Sequence, residues 1–547
     1  MKQFTGVKKW LKLALIPLAG LLVACGGGGG GDTTGSSTDT TISGSVIAAP
    51  VNGATVLVKD SAGNTVAGPV TTASDGTYSI DIPNSSLSAD LVFESTGGTF
   101  DDEATGLTGR AAGTLAAYIA GGSLSSGSAV HLTPASTIVH YMVTAHGKTL
   151  AEAETAFETA FGFAVDTSVA PADATNPPTG ATTAELLAGL RAAAFSQLTM
   201  DLGLLATDQF VLLPGLAQDI ASGNFDGQDA SGDVVLADSN ATVLPADIQN
   251  RFTQAMVNFH GSTHDKTGLD NDEIGTLPFA KVALSNSYKI EYVPGMMDAM
   301  EGKTMFTLRI LDRTDNTTPI TGLSVSLMPM MYMPSDMMHG SPSGGCSESA
   351  TAGEYNCTMY YIMPSTMMNG MSMGYWELMV MAAMGESVKF YPQVMMAMGD
   401  TVKAVLKGQS DDMIPGMMGD ENRKYYLFKD GLSGTTGNHT FNLFIAAKES
   451  MMNYPALYAG QVLNSGTTYE LTATTVSVEV STDASTWIAA TDGGDGHWSA
   501  TGISGLTDGT AGTLYVRLSV NAIQKTTDGS DPVGDGSNDY ASFTVTP

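Results

Sequence analysis

The sequence predicts a mainly β, multidomain protein: several β-sandwiches with one small helical domain inserted. Three observations carry this. Short runs of alternating apolar and polar residues, separated by Gly, Asn and Asp, recur near the front and again at the back. Between them lies a stretch whose apolar residues repeat at the helical period behind capping boxes. The 547 residues suit three or four domains, and a charged fraction of only 14% with 63 glycines suits an exported, sandwich-rich chain. The 55 acidic and 24 basic residues leave a net charge of −31, a field that repels nucleic acid and draws cations in.

Residues 1–25 read as a targeting segment. Lys2, Lys8, Lys9 and Lys12 precede the apolar run Leu13–Leu22, which ends in Leu22-Val23-Ala24-Cys25 and is too short to span a bilayer comfortably. That ending resembles the bacterial lipobox, which implies a lipidated Cys25 as the new N-terminus and a lipid anchor in the membrane. The residue after it is Gly26, not Asp, which under the sorting rule of such lipoproteins implies the outer membrane, facing the periplasm or the cell surface. Residues 26–41, rich in Gly, Ser and Thr, are expected to be a flexible tether.

Residues 42–105 read as a first sandwich. Its strands are Ile42–Val46, Ala54–Val58, Thr77–Ile82 and Asp90–Glu94, with turns at Asn52-Gly53, Gly63-Asn64 and Asp75-Gly76. With Val51-Asn52-Gly53-Ala54 and Asp75-Gly76-Thr77-Tyr78, this segment resembles carboxypeptidase regulatory-like domains, of transthyretin type. The resemblance implies a spacer or adhesive unit without chemistry.

Residues 106–275 read as the helical domain. Thr133-Pro134 caps one helix; Thr149–Glu152 and Thr182–Glu185 are capping boxes for two more, and a last helix starts near Pro245. Its histidines, His131, His140, His146, His260 and His264, lack the spacing of a zinc helix and are expected to cap or pack. Asp226, Asp229 and Asp233 are spaced like Ca²⁺ loop oxygens, without the Gly and terminal Glu of an EF-hand.

Residues 286–465 are the methionine-rich sandwich region, and 25 of the 31 methionines lie between Met296 and Met418. A core needs no such excess. Strands Tyr288–Tyr292, Met305–Leu311 and Leu323–Leu327 lead into Met328-Pro329-Met330. Gly353-Glu354-Tyr355 and Gly374-Tyr375-Trp376-Glu377-Leu378 follow. That order resembles the YtkA-like and FixH-like sandwiches of bacterial envelopes, related in architecture to CopC-type copper proteins. The resemblance implies copper handling, although the many methionines and a Cys-bearing insertion depart from the pattern.

A thioether is soft and cannot be protonated, so it holds Cu(I), or a similar soft ion such as Ag(I), where a thiolate would be oxidised. Clustered spacing selects Met330, Met333, Met337, Met338 and His339, joined by Met367, Met368, Met371 and Met373, as ligands. Met379 and Met381 alternate in a strand and suit core filling equally, as does Met328; an oxidant sponge or a soft protein-binding surface are the other uses of such side chains. Cys346 and Cys357 form an even pair in an exported chain and are expected to be a disulfide, a Cys-ligated metal being the alternative.

Residues 466–547 alternate as an immunoglobulin-like sandwich, and Asp528, Asp531, Asp535 and Asp539 offer a second Ca²⁺-type loop. No nucleophile–base pair, phosphate loop or carboxylate pair stands out, so an enzyme is not expected. The favoured reading is an envelope lipoprotein that binds copper(I) for sequestration, delivery or resistance, working with envelope metal-handling or surface proteins. The alternative is a non-enzymatic structural or adhesive surface lipoprotein whose methionines pack a core or a partner surface.

Overall fold

Strict alternation makes Thr77–Ile82 a half-buried strand, with Tyr78, Ile80 and Ile82 inward and Thr77, Ser79 and Asp81 outward. It pairs antiparallel with Thr40–Ser45. The facing sheet runs Thr65–Thr71, Thr55–Asp60, Leu91–Thr96, Leu115–Ile119, all antiparallel. The computed structural model describes residues 39–382 and 385–547; the expected signal segment, Cys25 and most of the tether lie outside these, as does Met384.

The break expected at 105/106 falls inside this sandwich. Leu115–Ile119 is a strand of its sheet, and Val130 and Leu132 donate to Ser43 and Ser45. One core then continues from Ile42 through the helices to Leu277. The period of the sequence changes where the helices begin, but a sheet takes strands wherever the chain returns them.

The helices start where the caps put them. Thr133, Thr149 and Thr182 each accept from the N3 backbone N–H, ahead of α1 (Pro134–Thr144), α2 (Leu150–Phe161) and α3 (Thr183–Asp201). Two more follow, α4 (Gln209–Ala221), with Pro214 inside it, and α5 (Ile248–His260). Phe157, Phe161, Phe195 and Phe252 join α2, α3 and α5, with Phe161 lying 5.3 Å from Phe195 and 4.6 Å from Phe252.

The methionine-rich sandwich stacks two antiparallel sheets. One runs Val282–Leu284, Tyr288–Pro294, Gly302–Asp312, Glu354–Tyr361, Ser343–Glu348; the other runs Met338–Gly340, Ser326–Tyr332, Tyr375–Ala382, Glu386–Phe390. Tyr292, Phe306, Met331, Met359, Trp376 and Leu378 fill the space between them.

The last sandwich begins near residue 400, not at 466. Its first sheet runs Lys403–Lys407, Lys424–Thr435, Asn438–Ala447, His497–Ile503, Thr491–Asp492, so a break at 465/466 would cut through it. Its second sheet centres on Gly512–Val520, flanked by Val476–Ser481 and Ala541–Val545. Phe428, Phe444 and Tyr454 pack into the core of the methionine-rich sandwich, where the ring of Tyr360 stacks on Phe444 at 4.2 Å.

Candidate metal centre

Successive side chains of a strand point to opposite faces, and this splits the expected ligand set. Met338–Gly340 pairs with Ser326–Tyr332 in the register Met330↔Gly340, Met331↔His339, Tyr332↔Met338. His339 therefore shares the inner face with Met331 and Trp376, and is 4% exposed, whereas Met330, Tyr332 and Met338 occupy the outer face, Met338 at 41% exposure. Met333 and Met337 close a tight turn through the Met333 N–H and the Met337 carbonyl, and Met333 and Met373 pack at the edge of the core. Met367 and Met371 close another turn, from which Met368 and Met371 project into solvent.

His339 instead opens into a cavity of about 700 Å³ between the methionine-rich sandwich and the last one. Its soft lining is Met363, Met417, Met418 and Met451, none of which belongs to the clusters selected by spacing. Gly340 makes the approach of the Met451 segment possible: its N–H donates to the Met451 carbonyl at 2.8 Å, and a Cβ there would lie 2.7 Å from the Met452 carbonyl oxygen.

The ring of His339 has a defined tautomer. Its Nδ1 lies 2.7 Å from the Gly340 carbonyl, which can only accept, so Nδ1 carries the hydrogen. Burial holds the ring's pKa below the ordinary histidine value, with Lys448 and Lys403 pushing the same way and the Gly340 carbonyl opposing them. The neutral ring thus keeps a lone pair on Nε2, and Nε2 lies 3.0 Å from the thioether sulfur of Met363. Trp376 holds both partners: its ring meets the imidazole edge-on at 5.4 Å, and its Nε1–H donates to the Met363 carbonyl.

The lysines of the wall are paired. Lys403 meets Glu301 at 2.8 Å, and Lys448 and Lys424 both meet Glu421. Met417 and Met418 form the exposed tip of the hairpin Met413–Gly416/Gly419–Asn422, whose base is fixed by a buried ion pair between Asp412 and Arg423 at 2.8 Å.

Cys346 and Cys357 stand opposite each other on adjacent strands and are joined as a disulfide, in the strand pair that leads to Met359 and Met363. Most of the carboxylates considered for Ca²⁺, namely Asp226, Asp229, Asp233, Asp528, Asp535 and Asp539, accept hydrogen bonds from nearby residues. Asp229 accepts from Gln218 and Ser231, Asp528 from Ser530 and Asn538, and Asp539 from Gly534 and Gly536. Among the described residues no group of three or more His, Cys, Asp or Glu side chains converges. Three of the helical-domain histidines have side-chain partners: His131 meets Ser45 of the first sandwich, His140 meets Thr144, and His260 meets Asp265.

No protein-family model and no curated protein matches the chain. Among solved structures it is similar to a pullulanase from Anoxybacillus sp. LM18-11, at 13% identity and a TM-score of 0.11 over 47% of this chain and 28% of that one. An endo-fucoidan hydrolase from glycoside hydrolase family 107 matches at 10% identity and 0.12, over 56% and 50%. The chain thus spans between about a quarter and a half of these structures, and likenesses this slight carry no argument about activity.

Proposed function

We propose that this chain is a cell-envelope lipoprotein that holds Cu(I), or a similar soft monovalent ion, in the cavity around His339. The observation that supports the reading is the pairing of a neutral imidazole, its Nδ1 committed to Gly340, with the Met363 sulfur 3.0 Å from its free Nε2. A nitrogen lone pair turned toward a thioether has no hydrogen bond to make, but the two are a ligand pair for a soft cation. Met451, Met417 and Met418 line the same cavity and would complete the donor set. Among the described residues no carboxylate cluster converges there, Glu421 being paired with Lys424 and Lys448 and Asp420 with Tyr469, so hard cations gain little. The net charge of −31 concentrates cations around the molecule, and Cys25 would tether it to the outer membrane.

The experiment is a Cu(I) and Ag(I) titration of the purified reduced chain. One tightly held equivalent is expected, absent with Mg²⁺. His339→Leu and the pair Met363→Leu, Met451→Leu should weaken it by more than the roughly 10–100-fold that follows loss of a group merely orienting a ligand. Replacing Met367, Met368, Met371 and Met373 by Leu should leave it in place. A chain that binds no Cu(I) overturns the proposal.

A second reading rests on the outer face of the sheet, where Met328 stands opposite Met379, Met330 lies next to them and Ser326 stands opposite Met381. This stripe of flexible side chains suits a structural or adhesive surface protein whose methionines meet a partner. It is favoured if the titration fails.

A further inference from the structure

Among the described residues Arg191 is a cation with no ion-pair partner. It sits on α3 among Ala184, Leu187 and Ala188, one helical face at spacings of three and four. Its Nε is buried without a hydrogen-bond partner, and among the described residues the guanidinium meets neither a carboxylate nor an acceptor. It lies 4.4 Å over the ring of Phe163, and Gly275 packs beside its Nη2, where a Cβ would come within 3.1 Å. Burial pulls its pKa down to about 10, so it is charged at neutral pH.

The side chain lines a cavity of about 260 Å³ whose other walls are mostly apolar, chiefly Phe163, Val165, Val169, Leu187 and Phe195, with Thr133 and Asp166 as the polar exceptions. The far wall is the segment 163–171, held in place by two backbone bonds: the Ala172 N–H donates to Glu185 and the His131 N–H to Thr167. Gly189 lets the segment close on the helix, since a Cβ there would lie 2.0 Å from the Ala172 carbonyl oxygen. Asp166, the one carboxylate in the lining, accepts from the Ser168 N–H and hydroxyl instead of from Arg191.

We propose that this cavity binds a small amphiphilic carboxylate, its apolar body among Phe163, Val169, Leu187 and Phe195 and its head on Arg191. Arg191 is half-buried, and its buried Nε–H without a partner is costly, whereas a carboxylate matches the guanidinium's fork of donors. Room for roughly nine groups of a water molecule's size, at ~30 Å³ each, sets the scale at a medium-chain acid such as octanoate. The site lies in the helical domain and is independent of the metal-binding reading.

Isothermal titration of the purified chain with octanoate, and with 1-octanol as the uncharged analogue, tests this. Saturable octanoate binding is expected, with octanol at least tenfold weaker. Arg191→Met should weaken octanoate at least tenfold and leave octanol unchanged, while Arg191→Lys keeps part of the preference. Leu187→Trp, which fills the cavity but keeps Arg191, should abolish binding of both; this variant and the octanoate-to-octanol ratio of the unmutated chain decide the matter even if Arg191→Met folds poorly. Absence of octanoate binding at millimolar concentration, equal binding of acid and alcohol, or full octanoate binding by Leu187→Trp would each overturn the proposal.

Discussion

Asp412→Asn should destabilise the last sandwich by about 3–5 kcal/mol, the cost of removing one partner from a buried ion pair. The carboxylate is 3% exposed and serves three groups: Arg423 Nε at 2.8 Å, the Tyr425 hydroxyl at 2.6 Å and Lys525 Nζ at 2.8 Å. Arg423 has other acceptors in Asn464, Tyr469 and Lys448. Lys525, 2% exposed, has no such second acceptor among the described contacts, so most of the penalty falls on it. An asparagine of the same shape offers one oxygen to three donors and turns an NH₂ toward a cation. Urea unfolding followed by tryptophan fluorescence reads the loss, since Trp487 and Trp498 lie in this sandwich. Adding Lys525→Met to Asp412→Asn should cost less than it does alone, with a coupling of roughly 1–3 kcal/mol. A loss below about 1 kcal/mol, or strict additivity, refutes the argument that one carboxylate neutralises two buried cations.

Three further outcomes follow. The fully buried carboxyl of Glu103 is pushed up to about 8 from 4.5 by burial, with Asp102 adding to it. The folded chain then holds a proton that the unfolded chain releases above 4.5, so stability falls as pH rises from about 4.5 through 8. Glu103→Gln should flatten that fall in denaturant midpoints, leaving the smaller slope of Asp219, whose carboxyl burial raises to about 7; parallel profiles for the two proteins count against it. Cys346 and Cys357 should resist alkylation until reduced, and rapid labelling of the native oxidised protein would contradict the bond. Cys25→Ser should leave an unprocessed or soluble precursor, and unchanged processing with membrane retention would sink the lipobox reading.

The helix starts were legible because a cap is local: Thr149 and Glu152 satisfy each other's backbone within three residues. Helix α4 was not, since Pro214 interrupts it and it carries no capping side chain of the kind that announces α2 and α3. The sandwich boundaries were hidden because Leu115–Ile119 and His497–Ile503 join sheets whose other strands lie on the near side of the expected breaks, Leu91–Thr96 and Asn438–Ala447 among them. His339 could be picked out by its neighbourhood; Met451 could be seen only as an optional extension of a soft surface, and Met363, Met417 and Met418 not at all. Close spacing along a strand selects residues that face opposite ways, while Met363, Met417 and Met451 arrive from three other segments.

The dependence of the cavity on distant chain has a consequence for its order of assembly. Lys403 and Val405 form part of its wall, and the strand that carries them is held by backbone bonds between Lys407 and Thr526 and between Thr401 and Thr544. A chain emerging from its N-terminus makes His339 and Met363 long before it makes Thr544. The His339 and Met363 side chains thus wait, with one wall missing, while roughly a third of the protein is still to be added, and the completed pocket exists only after the sandwich behind it has closed.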